Sequence, residues 1–122
     1  MLVSPGGGPP PHRHDFEETF SVLDGELEVT FRGETRVLRA GETANIPANA
    51  PHAFRNPTGS AVHLLCTCSP AGQERFFALA GDRLASRDAP APEVSAAERA
   101  ARMARMPALS AEYRTEMLLG DR

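Results

Sequence analysis

Hydrophobic and polar positions alternate through the middle of the chain. Leu27, Val29 and Phe31 are interleaved with Glu26, Glu28, Thr30 and Arg32, the period-two pattern of a strand with one buried face. Phe20–Leu23 precedes it across Asp24-Gly25, a hairpin-type turn. Arg32-Gly33-Glu34 turns the chain again and Thr35–Leu38 returns; Ala40-Gly41-Glu42 is the next turn. Thr43–Ile46 stops at Pro47, and Ala53–Arg55 stops at Asn56-Pro57-Thr58-Gly59. Ala61–Thr67 is the last clear strand. Short strands at close spacing, punctuated by Gly, Pro and Asn, predict an all-β sandwich or barrel. Phe20, Val22, Leu27, Val29, Ile46, Phe54 and Leu64 are its expected interior.

After Thr67 the pattern changes to helical. Ser69-Pro70 reads as an N-cap with proline at the first helical position, followed by Phe76, Phe77 and Leu79 before Gly81. Asp88–Glu93 (DAPAPE) reads as a linker. Ser95-Ala96-Ala97-Glu98 is a capping box that opens a helix through about Met106. Ser110 is the expected cap of a last helix, Ala111–Leu119, ended by Gly120. The chain thus divides into a β core over residues 1–70 and a helical extension over 71–122.

Composition narrows the chemistry. At 122 residues the chain has room for one core. Its net charge of −3 argues against a nucleic-acid partner, which needs a basic footprint. All 13 basic residues are arginine, so Schiff-base chemistry, pyridoxal-phosphate attachment and a Walker-type phosphate loop are excluded. The opening MLVSPGGGPPP has neither the basic nor the apolar region of a signal peptide, and no apolar run approaches a membrane span; a cytoplasmic protein is expected. Cys66 and Cys68 share one strand face about 6.5–7 Å apart, an awkward spacing for a disulfide. They read as reduced core thiols, and their spacing does not make a metal site from the pair alone.

The chemistry lies in the histidines. Pro9-Pro10-Pro11 delivers His12 in extended geometry, so His12 and His14 project to one face. An acidic pair, Glu17 and Glu18, follows, and either fits as a ligand by spacing alone. His52, held extended behind Pro51, is the candidate third imidazole. Three nitrogens and one carboxylate oxygen suit a divalent first-row metal. His63 has no such company and reads as an exposed or supporting residue.

Taken together, these residues resemble the two motifs of the cupin superfamily. Gly6, His12, His14, Glu18 and Gly25 stand at the offsets of the first motif; Gly41, Pro47, Asn49, His52 and Asn56 stand at those of the second. Asn49 alone departs, replacing a glycine, and asparagine is the next-best residue for a left-handed turn. The resemblance covers about residues 1–70, and the tail beginning SPAGQERFF is similar to that of small quercetin-dioxygenase-like cupins. It implies a jelly-roll barrel with C-terminal helices, and His12, His14, Glu18 and His52 as ligands of Fe, Mn, Ni, Cu or Zn. The motif register selects Glu18 over Glu17, since Glu18 lies six residues before Gly25.

The implied function is a metal-dependent, dioxygenase-like oxidoreductase on a small organic substrate, with Glu18 as catalytic base. The alternatives are a non-catalytic metal and small-ligand binding module, or a metal-dependent isomerase or lyase. Family barrels place strands ahead of the first motif, and only eleven residues precede His12. The barrel is therefore expected to be open along one edge or covered by a second subunit, with a homodimer as the expected state. Phe76, Phe77, Leu79, Met103, Met106, Leu109, Met117, Leu118 and Leu119 offer the tail an apolar surface for that purpose.

Overall fold

The computed structural model describes residues 1–118, and among them two antiparallel sheets face each other. The strands are β1 (Leu2–Val3), β2 (His12–His14), β3 (Glu17–Asp24), β4 (Glu26–Phe31), β5 (Glu34–Arg39), β6 (Thr43–Ile46), β7 (His52–Arg55), β8 (Val62–Ser69) and β9 (Thr115–Met117). One sheet runs β1-β8-β3-β6 and the other β5-β4-β7-β2-β9. Two helices, α1 (Gln73–Ala80) and α2 (Ala96–Glu112), lie between β8 and β9 in sequence. This is an all-β sandwich, as the alternating pattern predicts, in the jelly-roll form with two C-terminal helices that the resemblance implies.

The core sits between the sheets. Phe20, Val22, Leu27, Val29, Ile46, Phe54 and Leu64 are all buried there, joined by Val3 and Val62. Each large side chain so buried contributes about 1.5–3 kcal/mol. The β4–β5 hairpin turns through Arg32 and Gly33, both at positive φ, with Phe31 opposite Glu34. Asn49 has a φ of 65°, so asparagine does take the left-handed position that the second motif assigns to glycine. Gly8, outside the core pattern, has a φ of 137°, and a Cβ there would collide with the Phe54 carbonyl oxygen. The lead-in therefore passes directly against β7.

Several expected elements differ. Asp24-Gly25 does not close a hairpin: β3 and β4 lie in different sheets, so the chain crosses from one sheet to the other there. Ser69 does not cap a helix: it ends β8, paired with Glu17, and α1 starts later behind Gly72. The Ser95–Glu98 capping box is present, but α2 continues through Pro107 to Glu112. Ser110 is buried within that helix rather than capping another. A half-buried stripe of Arg102, Met106 and Leu109 runs along α2, and its packing outweighs the backbone donor that Pro107 removes.

Of the expected helix over Ala111–Leu119, Ala111 and Glu112 belong to α2; the chain then turns at Tyr113–Arg114 into strand β9, which pairs with β2 from His12↔Met117 to His14↔Thr115. The chain's own tail thus covers one edge of the metal-motif strand. Two ion pairs fasten it, Arg13–Glu116 and Arg114–Asp15, both at 2.6 Å. On the other sheet β1 pairs with the start of β8, so the eleven residues before His12 do supply a strand ahead of the first motif, contrary to expectation. Leu119 and Gly120 lie outside the described residues.

Candidate metal centre

Four side chains from four places in the sequence converge between the sheets. His12 and His14 are buried while Arg13 is exposed, as strand alternation requires. β2 pairs with β7 so that His12 stands opposite His52, their ring centroids 4.3 Å apart. Glu18 enters from β3 on the facing sheet, also buried, while Glu17 is exposed. The ligand atoms of His12, His14, Glu18 and His52 all lie within 4.8 Å of one another. His63 is on β8 opposite Leu2, away from this group.

Each imidazole is oriented by the backbone. His12 Nδ1 lies 2.9 Å from the Pro10 carbonyl, His14 Nδ1 2.8 Å from that of Phe16, and His52 Nδ1 2.9 Å from that of Ala50. A carbonyl oxygen only accepts, so all three Nδ1 atoms donate, and in the neutral rings each Nε2 keeps its lone pair. The His14 ring is further fixed by stacking on Phe16, centroids 3.8 Å apart and planes 2° from parallel. Phe16 was absent from the expected interior. The available signal was its parity: His12, His14, Phe16 and Glu18 are all even-numbered and all buried.

Glu18 is held differently. Its Oε2 lies 3.0 Å from His14 Nε2 and 3.1 Å from His52 Nε2, and its Oε1 accepts from the Cys66 thiol at 3.1 Å. Burial by itself would raise the Glu18 pKa, but bonds from His14, His52 and Cys66 outweigh it and hold the group at about 2. Burial likewise opposes a charge on His14, yet the Glu18 carboxylate and the Phe16 carbonyl raise it above its ordinary value. Burial holds His12 below its ordinary value. The neighbouring Cys68 and burial push the Cys66 thiol up, so it remains a donor.

This donor set fits a divalent cation. With their Nδ1 protons committed, His14 and His52 can face Oε2 only with a proton or a metal ion between nitrogen and oxygen. Three imidazole nitrogens and one carboxylate oxygen match first-row divalent metals.

A model of the cupin domain matches residues 1–68. The chain belongs to the cupin family. Quercetin 2,3-dioxygenase of Bacillus subtilis (strain 168) is 48% identical over 58 residues, covering 45% of this chain and 17% of that enzyme. A solved RmlC-like cupin from Shewanella frigidimarina NCIMB 400 superposes with a TM-score of 0.54 at 30% identity, over 61% of this chain and 65% of that one. An oxalate oxidase in complex with glycolate superposes with a TM-score of 0.50 at 33% identity, over 55% and 38%. This cupin spans between 17% and 50% of the curated relatives it matches. Among its described residues no helix is long and apolar enough to cross a membrane.

The second motif's closing Asn56 has a structural task. Fully buried, it donates to the Val3 and Ser60 carbonyls at 2.9 and 2.6 Å and accepts from the Thr58 amide and hydroxyl. It thereby ties β1 to the turn between β7 and β8. A contact that the sequence did not reveal is Cys66 on Glu18, since it depends on the pairing of β3 with β8.

Proposed function

We propose that this cupin is a metal-dependent, dioxygenase-like oxidoreductase of the cytoplasm, acting on a small organic molecule that carries a hydroxyl group. The observation that carries the reading is the trio of Nδ1-anchored imidazoles aimed at one buried carboxylate. His12, His14, His52 and Glu18 would hold a divalent Fe, Mn, Ni, Cu or Zn ion, which when bound supplies Lewis acidity and, if redox-active, a route for electrons to dioxygen. The rings need no reorientation to bind, and their backbone bonds keep them from turning away. Glu18 is the catalytic residue of this reading. Its Oε1 is engaged only by a thiol, a weak donor, so a substrate hydroxyl displaces Cys66 and passes its proton to Oε1. Phe20 and Phe54, packed edge to face at 4.9 Å, keep water from the site's inner wall.

The resemblance to quercetin 2,3-dioxygenase and to an oxalate oxidase supports oxidation as the reaction class. The test is metal analysis of protein made without a metal-binding tag, followed by oxygen uptake with hydroxylated aromatics and small hydroxy acids. A redox-active metal and Glu18-dependent uptake are expected. A redox-inactive metal with no uptake on any such compound would favour the binding module or the isomerase or lyase.

A homodimer belongs to the same proposal. Leu65, Phe77, Leu79 and Met103 are each more than half exposed, an apolar surface consistent with a second copy. Light scattering at micromolar concentration is expected to give twice 13.1 kDa; a single chain's mass would refute it.

A further inference from the structure

The Glu18 carboxylate faces two sets of metal-binding atoms at once. Its Oε2 is turned to His14 and His52, whereas its Oε1 is turned to Cys66. Cys68 is the residue paired with Glu18 across β3 and β8, and Cys66 is paired with Phe20, so both thiols come from the strand beside Glu18. The Glu18 oxygen and the two sulfurs all lie within 4.8 Å of one another. Neither cysteine is in a disulfide. We infer that Cys66, Cys68 and Glu18 Oε1 form a second cation site, selective for soft, thiophilic ions such as cadmium, and that Glu18 bridges it to the histidine centre.

Sequence spacing alone spoke against a site made from the two cysteines, and rightly, since two ligands on one strand do not enclose an ion. The fold changes this by adding the carboxylate. Metal–sulfur bonds of about 2.3 Å and metal–oxygen bonds of about 2.0–2.2 Å in a tetrahedron place donor atoms roughly 3.5–3.8 Å apart, a small adjustment from the observed cluster. The site is also reachable. Cys66 and Cys68 line a cavity of about 480 Å³ together with Leu64, Gln73 and Phe77. The side-chain oxygen of Gln73 is buried without a hydrogen-bond partner, a second unspent oxygen donor in the same wall.

Ion chemistry sorts the two sites. Thiolates favour soft ions, and the imidazole set suits harder or borderline ones. Binding at the sulfur site expels the two thiol protons and leaves two thiolates and the carboxylate around a dication. Occupancy then takes up the Glu18 oxygen that would otherwise receive a substrate proton, so the second ion acts as an inhibitor. The bridging role rests on the reading of the histidine centre; the sulfur site does not.

The test begins with reduced protein carrying one equivalent of Mn²⁺ per chain, titrated anaerobically with Cd²⁺. Expected is a thiolate-to-cadmium charge-transfer band that saturates at one further equivalent, with a changed electron paramagnetic resonance spectrum of the Mn²⁺. Cys66→Ser and Cys68→Ser should each lose about half the band, with circular dichroism confirming that the variants fold. Glu18→Gln should weaken cadmium binding by at least about 10-fold. His12→Ala should lose Mn²⁺ and keep the cadmium–thiolate band, which separates this proposal from the histidine reading. Absence of a thiolate band in the unaltered protein, or a band untouched by both cysteine substitutions, overturns the sulfur site. A band that forms while the manganese spectrum stays unchanged overturns the bridge.

Discussion

The two halves of the candidate metal centre are built by different means. On the β2–β7 sheet each imidazole is tied through Nδ1 to a carbonyl two residues away along its own chain. Across the gap Glu18 has no such tether, and its oxygens are held only by His14, His52 and Cys66 side chains. The imidazole half is thus set by local backbone. The carboxylate half depends on neighbours distant in the chain, His52 and Cys66 among them. Pre-orientation by local backbone belongs to the rings.

The largest expected effect comes from removing a ring. His12→Ala or His52→Ala should weaken binding of a first-row divalent ion by more than about 100-fold, read by competition with a chelator. His63→Ala is the control and should leave affinity unchanged. Next comes the carboxylate. Glu18→Gln should cost about 10–100-fold and alter metal selectivity, while Glu17→Gln, on the exposed face, should do neither. Equal effects of the two would mean that the strand faces are misassigned.

The two halves also titrate in opposite directions. His14 is raised above 6.5, so its proton must leave before the metal enters. Metal affinity should therefore rise by up to about tenfold per pH unit below the His14 pKa and level off above it. In the metal-free protein the signs oppose. The stabilisation from His14 is complete below 6.5 and is lost as pH rises through its higher folded value. That from Glu18 is present above 4.5 and is lost as pH falls toward about 2. These two groups together favour maximal metal-free stability between pH 4.5 and 6.5, which thermal unfolding across a pH series would check. The smallest effect belongs to the tail clasp. Arg13→Ala breaks a half-exposed ion pair with Glu116 and should lower stability by less than about 1 kcal/mol, measured by denaturant unfolding.

The features that could be read from the sequence are those carried by short-range spacing. The parity of His12 and His14, the position of Glu18 before Gly25, and the turn at Asn49 are local and all appear in the fold. So does the core from Phe20 to Leu64, because period-two burial is written along each strand. What escaped depends on partners distant in the chain. Residues 111–117 carry a helical pattern, yet pairing with β2 makes Thr115–Met117 a strand, and nothing local announces that edge. Ser69 has the residue type of a cap, but Glu17 across the sheet claims its backbone. The approach of Cys66 to Glu18 follows from the β3–β8 register alone.

The proposed site is one nitrogen–oxygen centre, three Nε2 atoms and Glu18 around a first-row ion. X-ray absorption at the manganese edge, on protein loaded with one equivalent of Mn²⁺, tests it most directly. The expected spectrum shows three imidazoles and a carboxylate around the ion, with no sulfur in its coordination shell. Fewer than three imidazoles, or a sulfur ligand at that first equivalent, would contradict it.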